Sequence, residues 1–181
     1  MKACITLSSQ KGTLRDYLLL LLFTGLRRQE AAHLKWTQVD LKAKTLTIIS
    51  LKNNQDHTLP LSDYIFEILN RRKQYMINEY VFHGEGAGGY IVEPRKQMAK
   101  VTNVSGIQFT CHDIRRTFLT IAESLDISAY AVKRLANHKM NHDITSGYII
   151  TDVERLRKPM QQITDYIVSK LTLYDDGRLQ R

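Results

Sequence analysis

Six consecutive apolar side chains, Leu18 to Phe23 in DYLLLLLFTG, set the first boundary condition on this chain. A helix made of them has no polar face, so other elements must cover it on most sides. The run is far too short to span a bilayer, which takes about 20 apolar residues. No small-residue cleavage site of a signal peptide follows it. It therefore predicts a buried helix at the centre of a globular core. Thr13, with Asp16 three residues on, reads as a capping box at its start, and Gly25 as its stop. A chain of 181 residues, 43% hydrophobic and 24% charged, can build such a core as one domain.

The remaining elements follow from pattern. Arg28 to Lys35 reads as a second helix. From Trp36 to Pro60 the character changes: Val39 and Leu41, Leu46 to Ile49, and Thr58 to Leu61 suggest three short strands, with Lys52 to His57 as the turn between the last two. Ser62 is a plausible N-cap, with Leu61 as a staple, for a helix that carries Ile65, Ile68 and Leu69 on one face and ends in Arg71, Arg72 and Lys73. The glycine-rich stretch GEGAGG at 84–89 lacks the GxxxxGK of a phosphate-binding loop and is expected to be a flexible connection. After Pro94 the chain reads as helical, with breaks near Asn103 to Gly106, Asp126 to Ser128 and Lys139 to Asn141. Thr151 and Glu154 form a capping box for a final helix of about Asp152 to Lys170, and the tail DDGRLQR is expected to fray. The sum is an α+β domain, mostly helical, with a small three-stranded antiparallel sheet.

A net charge of +8 and a pI of about 9.5 favour a polyanionic partner such as nucleic acid. The two cysteines, Cys4 and Cys111, form no CxxC pair, so neither a zinc ribbon nor a disulfide scaffold is suggested and a reducing, intracellular setting fits.

Several side chains could carry chemistry. Between Cys111 and Asp126, Ile114, Phe118, Ile121 and Leu125 form an apolar stripe, and His112 and Arg115 fall beside it on a shared polar flank, where they can converge on one anion. Arg27 follows a Thr-Gly turn at a helix start, with Glu30 one turn on to hold it by a salt bridge; its planar fork matches phosphate oxygens. Lys52, in the hairpin turn, is a titratable ammonium able to donate a proton, which an arginine cannot do. His138 follows a short helix whose Ala131, Val132 and Leu135 pack inward. His138 and His142 make an HxxxH pair, but no carboxylate or third ligand accompanies it, so no metal is expected. Tyr148, after Gly147, is a poor nucleophile at its ordinary pKa; a dense cationic site would favour its phenolate. Each of these residues alone has an ordinary explanation as a solvated or packing side chain. Their joint order is harder to assign to chance.

In that order the contexts TGLRRQE, SLKNNQDHTLPL, HDIRRT, LANHK and SGYI resemble, across the whole chain, the catalytic domain of the tyrosine recombinase (phage integrase) family. The resemblance implies that family's fold and a catalytic set of Arg27, Lys52, His112, Arg115, His138 and Tyr148, supported by Glu30. It implies strand cleavage through a 3′-phosphotyrosyl link with no metal, cofactor or ATP. Double-stranded DNA and further copies of the chain, as a tetramer, are the implied partners, with accessory DNA-bending proteins beside them and no membrane. The implied setting is a bacterial host cytoplasm. The chain would be the catalytic domain over residues 1–181, without the N-terminal core-DNA-binding domain. Asn137 stands where the family usually has glycine, and the gap from His138 to Tyr148 is one residue longer than in many members. The last helix, with Ile163, Ile167 and Leu171, is expected to dock on a neighbouring protomer, so that deleting it abolishes assembly yet spares folding. Lys96, Lys100, Lys133 and Arg134 are candidate DNA-backbone contacts. Two alternatives stand beside this reading: a type IB topoisomerase-like enzyme that religates the same strand, and a DNA-binding module that does not cleave.

Overall fold

Helix α1 (Thr13–Thr24) is the axis around which the rest is arranged. Every residue from Tyr17 to Phe23 is at most 2% exposed, as a helix with no polar face requires. Gly25 stops it in the left-handed region (φ 65°), its N–H returning to the Leu21 carbonyl. The computed structural model describes residues 12–49, 56–92, 95–137 and 153–175, apart from the side chains of 95–97, 100, 104 and 172–175.

The elements continue with α2 (Arg28–Ala32), a 3₁₀ turn (Trp36–Gln38), and strands β1 (Val39–Asp40), β2 (Thr45–Ile48) and β3 (His57–Pro60). Then come α3 (Asp63–Lys73), α4 (Arg95–Ser105), α5 (Cys111–Ser124), α6 (Ala129–Leu135) and α7 (Glu154–Asp175). The strands form one antiparallel sheet in the order β1-β2-β3. Leu46 pairs with Leu59, Thr47 with Thr58 and Ile48 with His57. Alternation then sorts the faces: Leu46, Ile48, His57 and Leu59 turn into the core, while the Thr47 and Thr58 hydroxyls bond each other at 3.0 Å on the other face. Against α1 lie α5, α2, α3 and α7, with α5 in the broadest contact.

Four expectations need correction. Thr13 makes no capping bond to the α1 backbone. Asp16 is buried and is held by Arg15, Arg71 and Arg72, two of them from the end of α3, so its carboxylate serves a long-range ion cluster. The second helix ends at Ala32, not Lys35, because Lys35 pairs in a β-bridge with Tyr80. The 84–89 stretch is a closed turn: the Gly84 N–H bonds the Gly89 carbonyl at 3.1 Å beneath the bridge from His83 to Tyr90. Finally, α7 turns Leu156, Met160, Ile163 and Ile167 into the core of its own chain. An apolar stripe already used there is not free to cover a neighbour.

The β-strands, the inward face of α3 and the helix breaks near 103–106 and 126–128 lie within a residue or two of their expected places, and Ser62 holds the N-cap position of α3, although its hydroxyl makes no capping bond. The expected break at 139–141, the Thr151 cap and the tail from 176 lie outside the described residues.

Candidate functional site

The end of helix α6 organises the site. The last carbonyls of any helix lack intrahelical partners and carry partial negative charge. Here those of Ala136 and Asn137 accept from cations brought by two other parts of the chain. Arg115, from the second turn of α5, donates from Nη2 to the Ala136 carbonyl at 2.6 Å and from Nη1 to the Gly25 carbonyl. Arg27, just before α2, donates from Nη2 to the Asn137 carbonyl at 2.9 Å. The two guanidinium groups therefore hang from adjacent peptide units, although 88 positions separate 27 from 115 in sequence.

Glu30 closes this arrangement. Its Oε2 accepts the backbone N–H of Arg27 at 2.7 Å, and its Oε1 accepts the guanidinium Nη1 at 2.9 Å and the Asn137 side-chain amide at 3.2 Å. Asn137 itself sits in the left-handed region (φ 51°). Glycine does this at no cost and asparagine is among the few side chains that tolerate it, which accounts for asparagine at a position where glycine was expected.

The two arginines differ in exposure. Arg115 is 7% exposed, while the Arg27 side chain is 47% exposed. Burial, then repulsion from Arg27, pushes the Arg115 pKa down from its ordinary value, against a favourable pull from Glu30. An arginine starts so high that it stays charged regardless. The expectation that His112 and Arg115 share a polar flank is only half met. His112 is exposed at the start of α5, whereas Arg115 lies in the interior with backbone oxygens as its partners. Phe118 packs so tightly under the Thr24–Gly25 turn that a Cβ on Gly25 would lie 2.4 Å from its ring.

Both residues nevertheless open onto one cleft of about 800 Å³, whose walls include Arg27, Arg28, Met98, Phe109, His112 and Arg115. The first turn of α5 faces it, fixed by a reciprocal box in which the Asp113 N–H donates to Thr110 Oγ1 and the Thr110 N–H to Asp113 Oδ2. The Thr110 hydroxyl, which donates to Asp113 Oδ2 at 2.7 Å, and then the Thr110 N–H hold the exposed Asp113 carboxyl below the usual range. The cleft thus offers fixed positive charge and one imidazole, a combination that suits a phosphodiester oxyanion.

Lys52, His138, His142 and Tyr148 lie outside the described residues, as do the side chains of Lys96 and Lys100. Lys133 is exposed on α6. Three participants carry no signal in the sequence: the carbonyls of Gly25, Ala136 and Asn137. Backbone acceptors leave no mark in a sequence.

Residues 1–155 match the Phage integrase family. Among curated proteins, the prophage integrase IntF of Escherichia coli (strain K12) is 29% identical over 160 residues, covering 85% of this chain and 34% of that protein. Among solved structures, the integrase from mycobacterium phage Brujita superposes with a TM-score of 0.68 at 21% identity, over 87% of this chain and 54% of the other. A lambda integrase tetramer bound to a Holliday junction gives a TM-score of 0.60 at 19% identity, over 78% of this chain and 45% of the other. The chain spans from 34% to 57% of the length of the first curated relatives it matches.

Proposed function

Since the chain belongs to the phage integrase family, we propose that it is the strand-cleaving domain of a site-specific DNA recombinase. The observation that carries this is the pairing of Arg27 and Arg115 on adjacent carbonyls beside a cleft that also holds His112. Two fixed guanidinium groups can grip the non-bridging oxygens of one phosphodiester and stabilise the charge that builds on them during attack. Positions set by backbone bonds need no reorganisation at the moment of reaction.

In this reading the Tyr148 oxygen attacks phosphorus and the bond from phosphorus to O5′ breaks, leaving a 3′-phosphotyrosyl link and a 5′-hydroxyl. Lys52 supplies the proton to the leaving O5′. His112 takes the phenolic proton, and His138 hydrogen-bonds the phosphate. The link conserves the bond energy, so a 5′-hydroxyl from a second strand can reverse the step and exchange strands. Arg27, Arg115 and Glu30 have the support of the geometry above; the roles of Lys52, His138 and Tyr148 rest on family resemblance. Double-stranded DNA as substrate, assembly as a tetramer on two sites, and accessory DNA-bending proteins belong to the same proposal, in keeping with the Holliday-junction assembly of lambda integrase. Among the described residues no helix is long and apolar enough to cross a membrane.

The test is covalent trapping on nicked suicide duplexes with a randomised core. The chain should form a protein–DNA adduct that persists in excess EDTA, and Tyr148→Phe should form none. An adduct that survives in Tyr148→Phe moves the nucleophile elsewhere, and no adduct from the parent chain defeats the reading.

A further inference from the structure

Helix α2 is the mount of Arg27, and it is short. Five residues, Arg28–Ala32, form it, too few to hold a direction without tertiary support. Part of that support comes from α1. Tyr17, in the second turn of α1, is 1% exposed, and its hydroxyl donates to the Arg28 carbonyl at 3.0 Å. Its ring meets that of the fully buried Phe82 edge to face, with centroids 5.4 Å apart and planes at 74°, which leaves it little room to swing. Burial is the main reason the Tyr17 pKa lies above its ordinary value, so the hydroxyl stays protonated and remains a donor. Arg115 takes its bearing from the same helix, since its Nη1 donates to the carbonyl of Gly25, the residue that ends α1. Both arginines are thus located from α1, one through a side-chain hydroxyl and the other through a main-chain oxygen.

We propose that Tyr17 is a positioning residue: by holding the first turn of α2 against α1, its hydroxyl sets the direction in which Arg27 enters the cleft. The proposal rests on reading that cleft as a phosphodiester-cleaving site. Glu30, on the same short helix, bonds both the backbone N–H and the guanidinium of Arg27, so a tilt of α2 carries the arginine with it. The far end of Arg27 is tied to the Asn137 carbonyl, and a tilt would pull on that bond. Arg115 springs from α5 and bonds the Gly25 and Ala136 carbonyls, so its place does not depend on α2. Tyr17 touches no reacting atom; its effect passes through Arg27.

The test uses the full chain on the nicked suicide duplexes. It compares the parent with Tyr17→Phe, with 4-aminophenylalanine in place of Tyr17, and with Ile65→Val on the buried face of α3. Phenylalanine keeps the ring and removes only the hydroxyl, while the amino group restores a donor at the same point. Ile65→Val trims the core without touching α2. At saturating DNA, Tyr17→Phe should form adduct about 10-fold more slowly, with DNA affinity within about threefold of the parent. The amino variant should recover most of the rate, and Ile65→Val should keep it. Without DNA, the side-chain ¹⁵N resonances of Arg27 should move in Tyr17→Phe and return in the amino variant, while those of Arg115 stay in place. Adduct formation at the parent rate in Tyr17→Phe overturns the positioning role and leaves the proposed function standing. Equal slowing in Ile65→Val, or Arg27 resonances that do not move, overturns it as well. A parent that forms no adduct defeats the function, and the arginine resonances then decide the positioning separately. If Tyr17→Phe does not fold, the parent carries the test: its Tyr17 hydroxyl proton, held on the Arg28 carbonyl, should exchange with water slowly enough to give its own NMR signal, and a proton lost to rapid exchange overturns the proposal.

Discussion

Arg27 and Arg115 donate to the carbonyls of consecutive residues, Asn137 at 2.9 Å and Ala136 at 2.6 Å. Two like charges come so close only because each has its own compensation. Arg27 has Glu30, and Arg115 has a second carbonyl, that of Gly25. The site is thus organised by peptide oxygens as much as by side chains.

The two arginines should separate in stability measurements. Arg115→Ala leaves the Gly25 and Ala136 carbonyls buried without their donor, at roughly 1–3 kcal/mol for each unsatisfied group. Arg27→Ala removes a half-exposed pair and should cost under about 1 kcal/mol. Urea unfolding of the two variants measures the difference. On DNA both should lower the rate of adduct formation by about 100-fold or more, the scale for loss of one oxyanion donor.

Asn137 makes a sharper comparison. Its left-handed backbone strains alanine by about 1–2 kcal/mol, and alanine also loses the amide bond to Glu30. Glycine loses the bond but not the conformation. Asn137→Ala should therefore melt below Asn137→Gly, by about 2–4 °C per kcal/mol for a chain of this size. Equal melting temperatures would show that backbone strain at the end of α6 is not what limits this position.

Much of this architecture was legible in the sequence, and the gaps have physical causes. The run Leu18 to Phe23 announced α1 because a helix with no polar face has one destination. The alternation in β2 and β3 gave the sheet. The Arg27–Glu30 pair was legible because its partners are three residues apart. Asp16 misleads for the same reason: spacing of three from Thr13 mimics a cap, while its partners Arg71 and Arg72 are 55 and 56 positions away. The stripe of α7 was read correctly as apolar, but periodicity does not say whether it faces its own core or another chain. For Arg115, helical geometry gives the angle of a polar flank and not the carbonyls that await it inside.

Gly25 should tolerate no side chain. Its φ of 65° disfavours other residues, and an added Cβ would lie 2.4 Å from Phe118 Cδ1. Phe118 is fully buried and has no room to yield. Gly25→Ala should destabilise the domain by about 2 kcal/mol or more, combining backbone strain with overpacking. Because the Gly25 carbonyl also holds Arg115, the adduct rate should fall beyond what the loss of folded protein explains. Chemical denaturation read beside single-turnover cleavage separates the two effects.

His57 should make stability depend on pH in a definite direction. Burial is the main reason its pKa falls from the ordinary 6.5 to about 4, with Arg134 and Arg27 adding to the fall and the Leu135 carbonyl and Glu30 opposing it. Between those two values the unfolded ring binds a proton that the folded ring refuses. The unfolded state then holds more protons, so stability rises with pH across this window and is lost as pH falls through it. The contribution is complete above about pH 6.5 and is worth at most about 3 kcal/mol by the time the folded ring protonates near pH 4. His57→Leu removes the titration, so the difference in unfolding free energy between variant and parent should shift in the variant's favour on going from pH 7.5 to about pH 5. Urea midpoints at the two pH values give that difference directly. A constant difference would mean that the ring is solvated in the folded protein and not buried as described.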